Sequence, residues 1–551
     1  MTFQPTHGLI LACLLGVASR GGATSPIPSD LTPAIIVDTS KERVAEGKFQ
    51  PSWESLHQYE IPGWFRDAKF GIWAHWGPQC QPEAGDWYGR NMYMEGNGQY
   101  SSHLNLYGHP SKSGFKDVIH EWKAEHWNPS DLVARFQRAG AQYVMTMANH
   151  HDNLDLWDSQ YQPWNSVKVG PRQDIIAGWA AAARKAGIPF GVSVHAAHAW
   201  TWYESAQGAD TKGPLAGIPY DGNLTKDDGK GLWWDGLDPQ DLYAQNHPPS
   251  TSSGYKEGQW DWGGGVTPPD QAYCDKFYNR TMDLINRVQP DLIYFDDTAL
   301  PLWPVSDAGL KIAAHYYNQN MKAHNGRLTA VMFGKVLTED QKGAMVLDIE
   351  RGAARDIQPL AWQSDTCLGD WHYNRSYFNG GMYRSATNVI RMLVDIVSKN
   401  GNLLLSVPVR GDGTIDEKEQ AILDKVGQWM DVNKESIIGT RPWSVFAEEI
   451  VSDSPDEKAK SDGNLTGYRF ATKGNTLYVT VFGATESIMK ISALGSQSSH
   501  LDQAITAVEQ LGHGPVRWQQ TSAHLEITPS LPVASDAATV FKVTLRSAVS
   551  L

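Results

Sequence analysis

The chain has 551 residues, with 47 lysines and arginines against 61 aspartates and glutamates, a formal charge of −14. That balance lacks the basic footprint needed to grip phosphate backbones or anionic membrane surfaces. At roughly 100–200 residues per domain, the length holds about two to four domains, or one large α/β barrel with an appendage, and 22 tryptophans against 15 phenylalanines call for a use of large flat side chains.

The apolar run Gly8–Ala18, followed by small residues through Ala23, reads as a secretory signal peptide over residues 1–24. It is too short to span a bilayer, and no later stretch is long and apolar enough, so a secreted, soluble chain is expected. Asn-X-Ser/Thr sequons at Asn223, Asn279, Asn374 and Asn464 fit a glycoprotein. Beyond the leader stand Cys80, Cys274 and Cys367, whose spacing matches no zinc pattern and allows at most one bridge.

Apolar runs of strand length alternate with amphipathic helices, which argues for a parallel α/β fold. Eight strands are predicted: Lys69–Trp76, Gln142–Asn149, Ile188–Ala196, Asp291–Asp297, Leu328–Phe333, Met345–Glu350, Leu360–Thr366 and Asn402–Pro408. Helices are predicted at Ile175–Ala186, Gln271–Val288, Asp307–Ala323, Ala386–Ser398 and Glu417–Val432. Too little chain separates the fifth, sixth and seventh strands for full helices. The expected fold is therefore α/β, a distorted (β/α)8 TIM-like barrel over residues 50–443 with one or two outer helices absent. The Trp-rich segment Tyr203–Pro269 is a long loop on the C-terminal face of the third strand. From Ser444 to Leu551, short alternating segments predict a C-terminal β-sandwich.

Active sites of such barrels lie at the C-terminal strand ends. Here those ends carry His75, His150-His151-Asp152, His195, His198, Asp296-Asp297, Glu350 and Asp365. Strand alternation puts Leu292, Tyr294 and Asp296 on one face. If that face points inward, Asp296 is the catalytic carboxylate and Asp297 a supporting or capping group. Glu350 is the candidate second carboxylate, competing with a simple ion pair to Arg351 or Arg355, and Asp348 shares its parity. His150 and His151 can both reach one site only where their strand breaks into a loop. Aromatic faces stack on sugar C–H faces, so an acidic barrel with Trp-rich loops and paired carboxylates points to a glycosidase, although the tryptophans serve packing equally well.

Lys69-Phe-Gly-Ile-Trp-Ala-His-Trp-Gly77, Asp86-Trp-Tyr88, His150-His-Asp152, Pro290–Asp296, Ser398–Leu405, Gly411–Ile415 and Gly439–Trp443 are similar, in order, to the motifs of glycoside hydrolase family 29, the α-L-fucosidases. The resemblance runs from Trp53 to Trp443. It implies a retaining exo-glycosidase acting on a fucosylated glycan, with no metal and no cofactor. It casts Asp296 as nucleophile, and His75, Trp87, His150 and His151 as contacts to sugar hydroxyls, with Tyr294 beside the nucleophile. The chain also departs from the family. Trp362-Gln363 stands where many relatives have a Trp-Glu acid/base pair, leaving Glu350 as the acid. Ser193-Val194-His195 replaces a Tyr-Tyr pair, so His195 enters the pocket, and Asp86 replaces a Glu. Lys335 is the candidate cation at the anionic centre. L-Fucose is the expected sugar, with L-galactose as the alternative. A metal-dependent hydrolase using His150, His151, Asp152 and Asp296, and a noncatalytic sugar-binding protein, are the other readings.

Overall fold

The structure is a computed structural model describing residues 25–251, 262–449, 465–483, 488–531 and 538–549. The predicted signal peptide, Trp260 and the Asn464 sequon lie outside the described residues. Eight parallel strands close into a barrel in sequence order: β1 (Phe70–Ala74), β2 (Tyr143–Asn149), β3 (Phe190–Val194), β4 (Leu292–Phe295), β5 (Val331–Lys335), β6 (Val346–Glu350), β7 (Trp362–Cys367) and β8 (Gly401–Ser406). β8 pairs back onto β1 with Leu403 opposite Phe70, which seals the sheet. Each falls within or against its predicted run.

Local chemistry sets the helices that flank these strands. Asp174 caps the helix Ile175–Ala186 by accepting from Ala177 N–H, and Gly187 ends it at φ 69°, a conformation glycine adopts without the Cβ penalty. Asp270 and Ser385 cap Gln271–Val288 and Ala386–Ser398 in the same way. Asp416 and Glu419 form a reciprocal capping box at the start of Glu417–Asn433. Ala308–Ala323 completes the predicted set. Between β5 and β6 there is only the 3-10 turn Gln341–Gly343, and β6 to β7 has no helix. As expected from chain length, the barrel wall is thin there, and the outward residues Leu347 and Ile349 of β6 are only half-buried. Between β1 and β2, by contrast, three helices of seven or more residues, Gly98–Leu106, Phe115–Glu121 and Pro129–Arg138, pack over the barrel rim.

The barrel interior is aromatic with a polar floor. Gly71 has no Cβ because one there would lie 2.3 Å from the Tyr143 ring. That clearance lets Tyr143 cross the barrel and donate from its hydroxyl to Gln363 Oε1 at 2.9 Å. Trp73 packs edge-on against Tyr294, 4.9 Å between centroids.

The long loop holds itself by burial. Trp202 and Trp234 are buried, Trp200 stacks on His247 at 3.9 Å and Trp262 on His198 at 4.6 Å. Trp233 stacks on His120 and donates its indole N–H to Asp117 Oδ1. The described tryptophans in and beside this segment thus serve packing, one of the two uses that their composition left open. The three cysteines are free and buried.

The C-terminal part is a sandwich. Antiparallel strands Gly514–Pro515, Ile505–Gln510, Ala538–Leu545, Thr476–Phe482, Gly467–Lys473 and Arg441–Glu448 form one sheet in that order, and Met489–Ile491, Leu525–Thr528 and Arg517–Gln520 the other. Trp443, Phe470, Val479, Ile527 and Phe541 lie in its core. It docks on the barrel through buried polar contacts: Arg469 Nε reaches Asp395 Oδ1 at 2.6 Å, and Trp429 donates to the Ala538 carbonyl at 2.7 Å.

Candidate active site

Asp296 directly follows β4, and its face does point inward, since Tyr294 two residues earlier is 1% exposed inside the barrel. One Asp296 oxygen, Oδ2, accepts from His151 Nε2 and His195 Nδ1, each at 3.1 Å. The other, Oδ1, meets the Lys335 ammonium at 2.5 Å. Burial alone would raise this carboxyl, but the Lys335 charge, His195 and the two imidazole hydrogen bonds hold it well below the usual carboxylate range. Asp296 is thus an anion with both oxygens oriented. Asp297 faces away: its Oδ1 accepts from Thr298 N–H and lies 3.2 Å from His198 Nε2, and its Oδ2 accepts from Leu302 N–H. It fastens the loop after β4.

Lys335 ends β5 and is placed by its own N–H donating to the Thr298 carbonyl. Burial works against its charge, but Asp296, Glu350 and Asp365 overcome that and hold it well above the ordinary lysine range. Its ammonium also meets Glu350 Oε2 at 2.7 Å, so a single cation bridges Asp296 and Glu350. The Glu350 carboxylate is 41% exposed at the open end of β6. Its ion pair is with Lys335, while Arg351 turns away at φ 48° and lies over the Trp371 ring.

The histidines converge because β2 ends at Asn149, with a register shift against β3. Asn149 Oδ1 accepts from the backbone N–H groups of His195 and Ala196, pinning the turn after β3. His150 and His151 can then both face the pocket. His151 Nδ1 lies 2.7 Å from the His195 carbonyl oxygen. His195 Nε2 meets Ser193 Oγ at 2.9 Å, and burial holds its imidazole down at about 4 despite the opposing pull of Asp296, so the ring is neutral. Burial and the neighbouring histidines hold His75 and His150 well below the ordinary histidine range. The His75 ring lies 5.6 Å from His195 and 5.7 Å from His150. Trp87, in the left-handed region at φ 61°, sets its ring edge-on to His151 at 6.2 Å.

Asp86, His75, Trp87, His150, His151, His195, Tyr294, Asp296, Lys335 and Glu350 are therefore gathered around one pocket. Sequence reasoning missed Trp371 and His372, which arrive from the loop after β7. Trp371 lies 5.2 Å from His75, and His372 Nδ1 meets Asp86 Oδ1 at 2.6 Å. Neither belongs to a periodic segment, so no pattern flagged them. Gln363 lies beneath the pocket, donating to Asp348 Oδ1 at 2.8 Å.

Ring nitrogens of His75, His150 and His372, and separately of His150, His151 and His195, come within 4.8 Å of one another. Of the set considered for a metal hydrolase, His150 and His151 fall in these groups and Asp152 and Asp296 do not; Asp152 accepts from Leu154 N–H and Gln79 Nε2.

Comparison with known proteins agrees with this geometry. The family model described as Alpha-L-fucosidase matches residues 36–435. The chain is 24% identical over 510 residues to the tissue alpha-L-fucosidase of Rattus norvegicus, covering 89% of this chain and 90% of that one. It is 24% identical over 491 residues to the Homo sapiens tissue enzyme, covering 86% and 85%. A solved Thermotoga maritima alpha-fucosidase in complex with fucose superposes with a TM-score of 0.65 at 25% identity, over 90% of this chain and 100% of that one. An inward carboxylate held by two imidazoles and a lysine, on a barrel matched over most of its length, is thus accounted for: this chain belongs to the alpha-L-fucosidase family of enzymes.

Proposed function

We propose that this protein is a secreted retaining exo-glycosidase that releases terminal α-L-fucosyl residues from glycans, with Asp296 as nucleophile and Glu350 as acid/base. The observation that carries the reading is the Lys335 bridge. Two carboxylate oxygens on one ammonium nitrogen, at 2.5 and 2.7 Å, keep the two carboxyl groups close, which supports the short spacing of retaining glycosidases. Asp296 attacks the anomeric carbon as the bond to the leaving oxygen breaks, and Glu350, which must enter this step in its protonated form with the Lys335 charge left to Asp296, gives that oxygen its proton. The resulting glycosyl ester uncharges Asp296. Lys335 then faces Glu350 alone, favouring the carboxylate that takes a proton from water as the water attacks the anomeric carbon and frees Asp296.

Gln363 does not weigh against turnover, because it is occupied by Tyr143 and Asp348 on the barrel floor. The signal-like leader supports export, as does similarity to the Homo sapiens plasma alpha-L-fucosidase, 24% identical over 493 residues. The test is hydrolysis of 4-nitrophenyl α-L-fucoside, with the first sugar product followed by NMR. Release of the α-anomer first is expected. Asp296→Gly should lose on the order of 10³-fold or more in kcat. Glu350→Ala should slow alkyl fucosides far more than activated aryl ones. First release of the β-anomer, or equal losses on both leaving groups, would refute the respective assignment.

A further inference from the structure

His372 is fully buried, and its Nε2 makes no hydrogen bond. A buried polar atom left without a partner costs about 1–3 kcal/mol, so it calls for a ligand. Its surroundings specify which kind. The Asp86 carboxylate, at 2.6 Å, accepts the proton of His372 Nδ1, which leaves the lone pair on Nε2 and makes that nitrogen an acceptor. Across from it, with ring centroids 4.7 Å apart and planes at 87°, lies His150. Gln79 Nε2 donates to His150 Nδ1 at 2.7 Å, which fixes the His150 proton on its own Nε2 and makes that nitrogen a donor. Their second partners, a carboxylate for one ring and an amide N–H for the other, thus set the two imidazoles in opposite tautomers. The His75 ring closes the third side, 5.1 Å from His372, and its Nδ1 is also unpartnered.

A hydroxyl group donates one hydrogen bond and accepts another at a single atom, as water does, and among the groups of a sugar it is the one that meets both nitrogens at once. We propose that His372 is a specificity-determining residue that accepts a hydrogen bond from one ring hydroxyl of the bound sugar, while His150 donates to the same oxygen and Asp86 positions His372. The inference rests on the sugar-hydrolase reading above and adds a residue and a polarity to it. Asp86, whose Oδ1 is given to His372, then acts on the sugar through that ring.

The experiment compares wild type, His372→Phe and Asp86→Asn on 4-nitrophenyl α-L-fucoside and its 2-, 3- and 4-deoxy analogues. His372→Phe keeps a ring and removes the acceptor. It should lower kcat/KM on the parent about 10- to 100-fold, yet match wild type on the one analogue lacking the hydroxyl that His372 holds. Asp86→Asn should give a smaller loss with the same analogue spared, and serves if His372→Phe does not fold. An equal loss on the parent and every analogue, or no loss on the parent, would overturn the assignment. Absence of wild-type turnover would instead overturn the hydrolase reading. Calorimetric binding of L-fucose and its deoxy forms would then test His372 by the same criterion: one deoxy sugar bound equally by wild type and variant supports it, and a uniform loss overturns it.

Discussion

Beneath Asp296 and Glu350 lies a second acidic pair. Asp348 and Asp365 are buried on adjacent strands, and each keeps one carboxyl oxygen without a hydrogen-bond partner. The Tyr294 hydroxyl donates to Asp365 at 3.1 Å. Burial, opposed by Lys335 and reinforced by Glu350, pushes Asp365 up to about 6, and burial with the Asp365 charge lifts Asp348 well above the carboxylate range. A carboxyl raised in the folded state keeps its proton where the unfolded chain has lost it, so its contribution is full at low pH and disappears as pH rises through about 6. Wild type should therefore lose stability relative to Asp365→Asn between pH 4 and pH 7, by about 2–3 kcal/mol. Denaturation of both proteins across that range measures it, and a constant difference would refute it. The sequence made part of this legible. Parity along Leu292, Tyr294 and Asp296 put these three on one face and left only two directions for it, because a strand buried in a barrel offers its side chains no third. The pair was not legible, because it depends on which inward residues of the neighbouring strands β6 and β7 come side by side, and that is set by register. His372 was hidden for another reason, since its loop has no period to read.

Elements were recovered where local signals were strong. The helix Gln271–Val288 begins and ends where its apolar periodicity indicated. Its sequon at Asn279 is a different matter: that side chain is buried and donates within the helix to the Asp275 carbonyl, so it is part of the packing. The same helix supports the pocket. Arg280 grips Asp155 with two nitrogens, at 2.5 and 3.1 Å, Asp155 accepts from Asn149, and Asn149 pins the backbone of His195. Arg280→Met would leave Asp155 buried without its counter-charge. The expected cost is about 3–5 kcal/mol in chemical unfolding, and a loss below about 1 kcal/mol would show the pair to be dispensable. The use of the Trp-rich loop stayed open in the sequence because composition does not reveal which side of a long loop faces inward. Its aromatic rings found partners in His120, His198 and His247.

Across the whole molecule, barrel and sandwich meet through charge as well as apolar packing. Asp395 on the last barrel helices' inner face holds both Lys399 of its own segment and Arg469 of the sandwich. Phe482 and Ala538 of the sandwich join the barrel's apolar core. Arg469→Leu leaves Lys399 on Asp395, so the expected loss is about 1–3 kcal/mol, the worth of one hydrogen bond to a charged group. Calorimetry should show the lowered transition, and an unchanged midpoint would mean that the contact adds nothing. The bare arc from β5 to β7 has a different consequence. Glu350 stands on the stretch of wall that no helix backs, while the histidines stand where helices and loops are several layers deep. On the proposed roles, the half that recognises the sugar is thus locked into the fold, and the half beside the departing group stands on β6, whose outward residues Leu347 and Ile349 are only half-buried. A protein engineer seeking new leaving groups or acceptors would start at Leu347 and Ile349.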